Sequence, residues 1–301
     1  MSKRKFTINA AQWMVAGLLA ALAMAMLYYR FLIDKELEQT AALYIGLPAL
    51  IAIMITLTPK ANSPVGMSIK AVLIAMFASA IFLREGFICI LMCAPLFLAV
   101  AIAVGFVIGR VKKSGSPRDA RLNAMMLLPI LVMSVEGVLP GTGSAGPESV
   151  TVERVLDISG PAIQQRLSAE PEFDLDALPR FLQLGFPVPV EAQGTGLAVG
   201  DQRVITFAVP GRTPGTLVLE VTQSDAHGFV MQAVSDTSDI ANWMAWKSVH
   251  VRWDRDDTGQ TRLSWSVTYE RLLAPAWYFG PLERLAVEQA IDYLIGSLVS
   301  G

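Results

Sequence analysis

Two cysteines and one carboxylate on a single apolar stretch are the first residues in this sequence that could do chemistry together. Cys89 and Cys93 are the only cysteines and are four residues apart, and Glu85 lies four residues before Cys89, so all three share one face if the stretch is helical. A metal or redox site would use such groups. However, two thiols and one carboxylate are an incomplete ligand set, and consecutive helical turns are poor geometry for a disulfide. We therefore expect the cysteines to pack as buried thiols, with no metal.

Two acidic residues lie at the ends of apolar stretches. Glu85 follows Arg84, and Glu136 is followed by Gly137. Ionisable groups at membrane depth are costly and often functional, so these two carboxylates could line a polar site within the membrane. Alternatively, Glu85 pairs with Arg84 and both acids face the lipid headgroups. The sequence leaves both interpretations open.

Residues for acid–base or phosphate chemistry are not well placed. The histidines are His227, in a predicted turn, and His250, which alternates with valines and so points away from the apolar face of its strand. No nucleophile elbow, paired carboxylates or metal-ligand spacing is present. The glycine-rich residues 194–200 lack the strand–loop–helix context of a phosphate site and predict a hairpin turn. An enzyme remains an alternative, and no cofactor is expected.

The elements that must position these groups are of two kinds. The 301 residues are 53% hydrophobic and 17% charged, with mean hydropathy +0.48, which is too apolar for an ordinary soluble protein. Residues 1–140 hold 13 Lys and Arg and 6 Asp and Glu, so of the totals of 24 and 26 the remainder holds 11 and 20. The positive charge lies between apolar stretches and the rest is acidic, which argues against nucleic acid as a partner. A membrane domain and an acidic soluble domain therefore share the chain.

The first 140 residues predict an α-helical transmembrane bundle. Apolar stretches suited to a bilayer core of about 30 Å lie at 10–33, 42–58, 68–84, 86–110 and 121–139. With the N-terminus in the cytoplasm, ten Lys and Arg fall inside and three outside, as expected of a bacterial cell-membrane protein. Five crossings then place the C-terminal domain outside the cytoplasm. The second and fifth stretches are short or interrupted by proline, and losing either would reverse that side.

The C-terminal part predicts an α+β domain. Small, turn-forming residues at 141–149 indicate a linker, and the domain takes up 150–301. Seven runs alternate apolar and polar residues and predict strands at 150–156, 188–193, 202–209, 216–222, 229–234, 245–253 and 261–270. A short helix follows the first strand, and Pro281–Val299 predicts a long amphipathic helix that covers the apolar face of an antiparallel sheet.

These elements resemble a known superfamily. The order of elements, the Ser-Gly-Pro-Ala-Ile opening of the first helix at 159–163, the Phe-Leu-Gln-Leu-Gly-Phe-Pro segment at 181–187 and the closing helix resemble the SRPBCC superfamily over 150–299. These helix-grip proteins include START lipid-binding domains, polyketide cyclases and birch-pollen-allergen proteins. The membrane half is similar to the N-terminal region of uncharacterised bacterial membrane proteins that carry such a domain, in residues 43–48 and 85–89.

The resemblance implies a curved sheet that grips the long helix around an apolar cavity. The aromatic residues that could line it, or that could instead be ordinary core, are Phe207, Phe229, Trp253, Trp265, Tyr269 and Tyr293, with Trp243 and Trp246 near its mouth. The implied function is binding of a hydrophobic small molecule or lipid by a module tethered to the lipid bilayer. The alternatives are an enzyme of the cyclase or hydratase kind, or a protein-interaction domain without a ligand.

Overall fold

A computed structural model describes residues 8–33, 45–82, 87–114, 146–209, 213–255 and 260–300. The chain divides into two compact units, Met1–Met133 and Ser134–Gly301, and each is described by itself. The predicted fifth span at 121–139, together with Glu85 and Glu136, lies outside the described residues. So does most of the predicted linker, and the domain boundaries therefore stay predictions.

The N-terminal unit consists of apolar helices. They are α1 (Ala10–Ile33), α2 (Leu47–Leu57), α3 (Pro64–Phe82) and α4 (Phe87–Ser114). Among the described residues, three helices are long and apolar enough to cross a membrane, within α1, α3 and α4. This supports membrane association. The orientation and the compartment of the C-terminal unit remain predictions.

Of the predicted second span at 42–58, the described residues 45–57 are helical, and α2 is the α-helical part. With 11 residues at 1.5 Å each, α2 is about 17 Å long, well short of a bilayer core. The helix ends at Leu57. The next residue, Thr58, has extended backbone and precedes Pro59, and proline disfavours helix at the residue before it.

Polar side chains from two helices bind the carbonyl groups at the end of α2. The Gln12 side-chain amide donates to the carbonyls of Thr56 and Thr58, at 2.8 and 2.7 Å. The Lys70 ammonium donates to the same two carbonyls, at 3.2 and 2.8 Å. A helix leaves its last carbonyls without intrahelical partners and carries partial negative charge there, so an amide and a cation stabilise this end. These bonds tie α1 and α3 to α2.

Helices α3 and α4 approach closely at Gly105. A Cβ atom at this position would lie 2.4 Å from the Cα atom of Val65, so no larger residue fits without movement. At Gly109, one turn along, the nearest atom to such a Cβ is Cγ of Pro64, at 3.6 Å. The two glycines thus allow α4 to pack against the first turn of α3, as small residues commonly do between membrane helices.

The C-terminal unit is built on a curled antiparallel sheet in the order β1-β7-β6-β5-β4-β3-β2. Its strands are β1 (Glu148–Leu156), β2 (Val188–Gln193), β3 (Gln202–Ala208), β4 (Gly215–Asp225), β5 (Gly228–Asp236), β6 (Met244–Arg255) and β7 (Thr261–Arg271). All seven predicted strands are present, with ends shifted by up to three residues. The alternating pattern predicted these strands because one face of the sheet is buried and the other is exposed to solvent.

The strand register places apolar side chains in rows across the buried face. One row runs over five strands through Val221, Met231, Val249, Val267 and Val150, each directly opposite the next. Residues opposite each other on one face pack together and set the register. This row forms the middle of the core.

The segment between β1 and β2 closes one side of the sheet. It contains α5 (Gly160–Ser168) and the 3-10 turns Leu175–Ala177 and Leu182–Leu184. From α5, Ile163 and Leu167 are buried in the core. The glycine-rich residues 194–200 lie between β2 and β3, which are adjacent antiparallel strands, and Gly194, Gly196 and Gly200 have positive φ.

The terminal helix α6 (Ala276–Ser300) packs on the buried face and completes a helix-grip architecture. It begins five residues before the predicted start at Pro281, which lies inside the helix. The prediction placed Pro281 in the first turn, where proline is favoured. Instead the carbonyl of Pro275 accepts hydrogen bonds from the backbone of Tyr278 and Phe279, and an extra turn forms ahead of Pro281.

Candidate ligand cavity

A cavity of about 380 Å³ lies between the buried face of the sheet and α6. Strands β3 to β7 contribute one wall, α6 the opposite wall, and the segment between α5 and β2 a third. The volume is within the range of small-molecule sites, and most lining side chains are apolar, as such sites usually are. This part of the fold is therefore not filled solidly by its own side chains.

Six of the eight aromatic residues singled out from the sequence line this cavity. They are Phe207, Phe229, Trp243, Trp246, Trp265 and Tyr293. The strand pattern places the first two and Trp265 on the buried face, while Tyr293 comes from α6. Its hydroxyl donates to the carbonyl of Asp174 at 2.9 Å, which holds α6 to the segment before β2.

Trp253 and Tyr269 are not among the lining residues. Trp253 lies on the part of β6 that α5 covers. The first residue of α5, Gly160, is so close that a Cβ atom there would lie 3.2 Å from the Trp253 ring. Tyr269 is fully buried near the other end, and its hydroxyl donates to Glu148 at 3.3 Å. Both share a strand face with lining residues but sit under a different part of the structure.

An aromatic group stands at one side of the cavity. Phe181 and Phe186, from the segment before β2, have ring centroids 5.0 Å apart, and Phe186 meets Trp243 edge-on at 5.7 Å. Such edge contacts are favourable because the ring edge is positive and the ring face negative. Phe186 and Trp243 also line the cavity, so these rings form part of its wall.

Sequence reasoning missed a cation on the buried face. Arg203 lies on β3 directly opposite Leu219, lines the cavity and is only 9% exposed. It donates from Nη2 to the carbonyl of Leu167 at 3.0 Å, whereas its buried Nε has no hydrogen-bond partner among the described residues. Burial lowers the pKa of Arg203, and the nearby charge of Glu170 opposes that shift. The alternation itself could have found this residue, because Arg203 has the same parity as Ile205 and Phe207.

Two indole donors in the cavity wall are also without partners among the described residues. The Nε1 atoms of Trp246 and Trp265 are buried and make no hydrogen bond there. Buried polar groups in proteins are nearly always hydrogen-bonded, so these donors are notable beside a cavity. The wall is thus apolar over most of its area and carries hydrogen-bond donors at a few points.

A buried polar cluster lies outside the cavity and was also missed. Glu148, Tyr269, Arg271 and Glu283 meet where β1, β7 and α6 come together, and Glu283 is only 3% exposed. Burial raises the pKa of Glu283 to about 7; Arg271 lowers it and Glu148 raises it further. The helical pattern placed Glu283 away from the apolar stripe of α6, and the polar partners from the sheet could not be read from it.

The other groups considered from the sequence do not join the cavity. His227 and His250 are exposed. Cys89 and Cys93 are half-buried in α4 and form no disulfide. Within the described ranges, no group of three or more His, Cys, Asp or Glu side chains could hold a metal ion.

The sheet and α6 define a helix-grip unit, as the sequence resemblance implies. About half of the chain is similar to solved structures. One is Ara h 8.0201, with 12% identity over 52% of this chain and all of that chain, and a TM-score of 0.34. This chain is likewise similar to norcoclaurine synthase from Thalictrum flavum in complex with dopamine and hydroxybenzaldehyde (15% identity, 55% of this chain and 89% of that one, TM-score 0.37). No protein-family model and no curated protein matches the chain. These likenesses say nothing of the ligand or activity of this chain.

Proposed function

We propose that this chain is a membrane-tethered module of the SRPBCC kind that holds a hydrophobic small molecule or lipid. The observation that carries the proposal is the cavity of about 380 Å³ under α6, with its mostly apolar wall. Burial of apolar ligand surface against such a wall is favourable, at about 25 cal/mol per Å². The six aromatic residues that line it are the proposed ligand contacts.

Tethering brings the cavity close to a reservoir of its ligand. The support is the presence of three described helices that are long and apolar enough to cross a membrane. Hydrophobic molecules concentrate in the bilayer, so a binding unit attached to it samples them at high local concentration. The excess of Lys and Arg between the apolar stretches supports a cytoplasmic N-terminus, and with five crossings an extracytoplasmic binding unit.

The ligand proposal is tested by filling the cavity. Ala290 lines it from α6, so Ala290→Phe places a ring in the space. Ala177, which is exposed, provides the matched control Ala177→Phe. The full chain is purified in detergent, and bound lipids are extracted and identified by mass spectrometry. We expect one molecular species to be retained by the wild type and Ala177→Phe and lost from Ala290→Phe.

The membrane helices are identical in all three proteins, so lipids that bind them nonspecifically are extracted equally from each. The same extract from all three proteins would show that the cavity holds no ligand. For the topology, reporter fusions after Gly141 that are active only in the cytoplasm would overturn the extracytoplasmic placement while leaving the ligand proposal intact.

A further inference from the structure

The cavity has one charged side chain buried in its wall. Arg203 is nine-tenths buried, yet its Nε has no hydrogen-bond partner among the described residues. Its Nη2 donates to the carbonyl of Leu167, so one part of the guanidinium is held by the fold. Within the described residues, no carboxylate oxygen lies within salt-bridge distance of Arg203.

The surroundings of Arg203 form a polar end to an otherwise apolar space. Arg166, at the end of α5, donates to the backbone carbonyl of Leu298 and lines this end as well. Glu170 and Glu172 also line it, but both are exposed, and Glu170 accepts a hydrogen bond from the backbone of Gly194. Both carboxylates are thus exposed at this end, and the charge of Glu170 acts on Arg203, but within the described residues neither forms an ion pair with it.

We infer that the cavity takes a single-chain anionic amphiphile whose carboxylate is bound by Arg203 and whose chain lies against the aromatic wall. A guanidinium recognises carboxylates through a planar fork of N–H donors, and hydrogen bonds between charged partners are the strong ones. The cavity volume is at the lower end of the range for drug-sized ligands, which favours one acyl or isoprenoid chain over two. The inference rests on the proposed function and names the class of ligand.

The test compares an acid with its ester. The full chain in lipid nanodiscs is labelled with a photoactivatable diazirine fatty acid or with the methyl ester of the same acid, and labelling is quantified by intact-protein mass spectrometry. Peptide mapping restricts the count to residues of the C-terminal unit. We expect the wild type to reach half-maximal labelling at about tenfold lower concentration of the acid than of the ester, because only the acid is charged.

Three variants assign that preference. Arg203→Met removes the guanidinium and keeps the length, so the acid and the ester should label equally and the ester should label as in the wild type. Arg203→Lys retains the charge without the fork and should keep part of the preference. Arg262→Met is the matched control, since Arg262 is exposed on the opposite face of the sheet. Because the acid and the ester partition differently into the bilayer, labelling is expressed against the concentration of each probe in the nanodisc, which is measured without protein.

The outcomes separate the inference from the proposed function. Equal labelling of the wild-type cavity by acid and ester, or an acid preference that survives in Arg203→Met, overturns the role of Arg203 and leaves the apolar cavity as a ligand site. Failure of both probes to label the C-terminal unit overturns the proposed function as well. If Arg203→Met does not fold, the acid preference of the wild type is compared with that of Arg203→Lys. A smaller preference in Arg203→Lys supports the role of Arg203, and an unchanged preference overturns it.

Discussion

The guanidinium of Arg271 lies 3.1 Å from the carboxylate of Glu148 and joins the end of β7 to the first residue of β1. The Arg271 side chain is only 9% exposed and the Glu148 side chain 22%. Two further groups from α6 share this cluster: the buried Glu283, and Arg284, whose Nη2 is 3.8 Å from Glu148. Gly280 permits the approach, because a Cβ there would lie 2.5 Å from Nη1 of Arg271. The helix and two strands are therefore joined by a charged cluster as well as by the apolar core.

Glu283 should make the stability of the C-terminal unit fall as pH rises. Its pKa is about 7 in the folded protein and about 4.5 when exposed, so between these values the folded state keeps a proton that the unfolded state has lost. The contribution of Glu283 to the free energy of unfolding is therefore full below about pH 4.5. It is lost as pH rises through 7 and amounts to at most about 3 kcal/mol.

The measurement is the thermal midpoint by tryptophan fluorescence from pH 4.5 to pH 8, in the wild type and in Glu283→Gln. In Glu283→Gln the thermal midpoint should fall less as pH rises than it does in the wild type. Glu288→Gln, which changes an exposed residue of α6, should show the same pH dependence as the wild type. Parallel curves for the wild type and Glu283→Gln would contradict the raised pKa.

Removing Arg271 should destabilise the unit far more than removing an exposed cation. Arg271→Met leaves the partly buried Glu148 and the buried Glu283 without their main positive partner, which costs about 3 kcal/mol or more. For a unit of this size, that lowers the thermal midpoint by roughly 6–12 °C. The control is Lys247→Met, whose pair with Glu270 is half-exposed and contributes about 0–1 kcal/mol. Similar shifts in the two variants would show that burial of the Arg271 pair adds little.

Two tryptophans on the same strand should behave differently. Trp253 is 3% exposed and packs in the core beneath α5, so Trp253→Ala should cost about 3–5 kcal/mol. Trp246 is half-buried and lines the cavity, so Trp246→Ala should cost less and instead reduce the amount of ligand retained. Urea denaturation and lipid extraction measure the two effects. Equal loss of stability with unchanged ligand would mean that Trp246 serves only as core.

Two glycines of α4 provide a matched test of helix packing in the N-terminal unit. Gly105→Ala places a methyl group 2.4 Å from the Cα atom of Val65 and must push α3 and α4 apart, whereas Gly109→Ala finds 3.6 Å to Pro64. Overpacking of this kind costs about 1–3 kcal/mol. The thermal midpoint of the full chain in detergent should fall for Gly105→Ala only. An equal effect at both positions would argue against the close contact at Gly105.

The seven strands could be predicted from the sequence because the period-two pattern reports which face of a strand is buried, and it does so locally. The same pattern put Phe207, Phe229 and Trp265 on the buried face. It could not say how far along the sheet the cavity extends, so Trp253 and Tyr269 were grouped with them. That limit is set by α5 and by the β1 end of the sheet, which are distant in sequence.

The sequence alone determined that the chain contains helices long and apolar enough to cross a membrane, because apolar stretches of about 20 residues can be recognised from composition. Only the tertiary structure decided where polar groups are left inside. Arg203 is visible in the sequence as a break in the apolar alternation, but its burial depends on packing with α5, where the Leu167 carbonyl accepts its hydrogen bond. Burial of Glu283 in the folded unit raises its pKa; Arg271 of β7 opposes that shift, and Glu148, more than a hundred residues away in β1, adds to it. Whether a side chain is buried, and which charges act on it, depends on the residues near it in space. Those residues can be far away along the chain, so the sequence pattern does not reveal them.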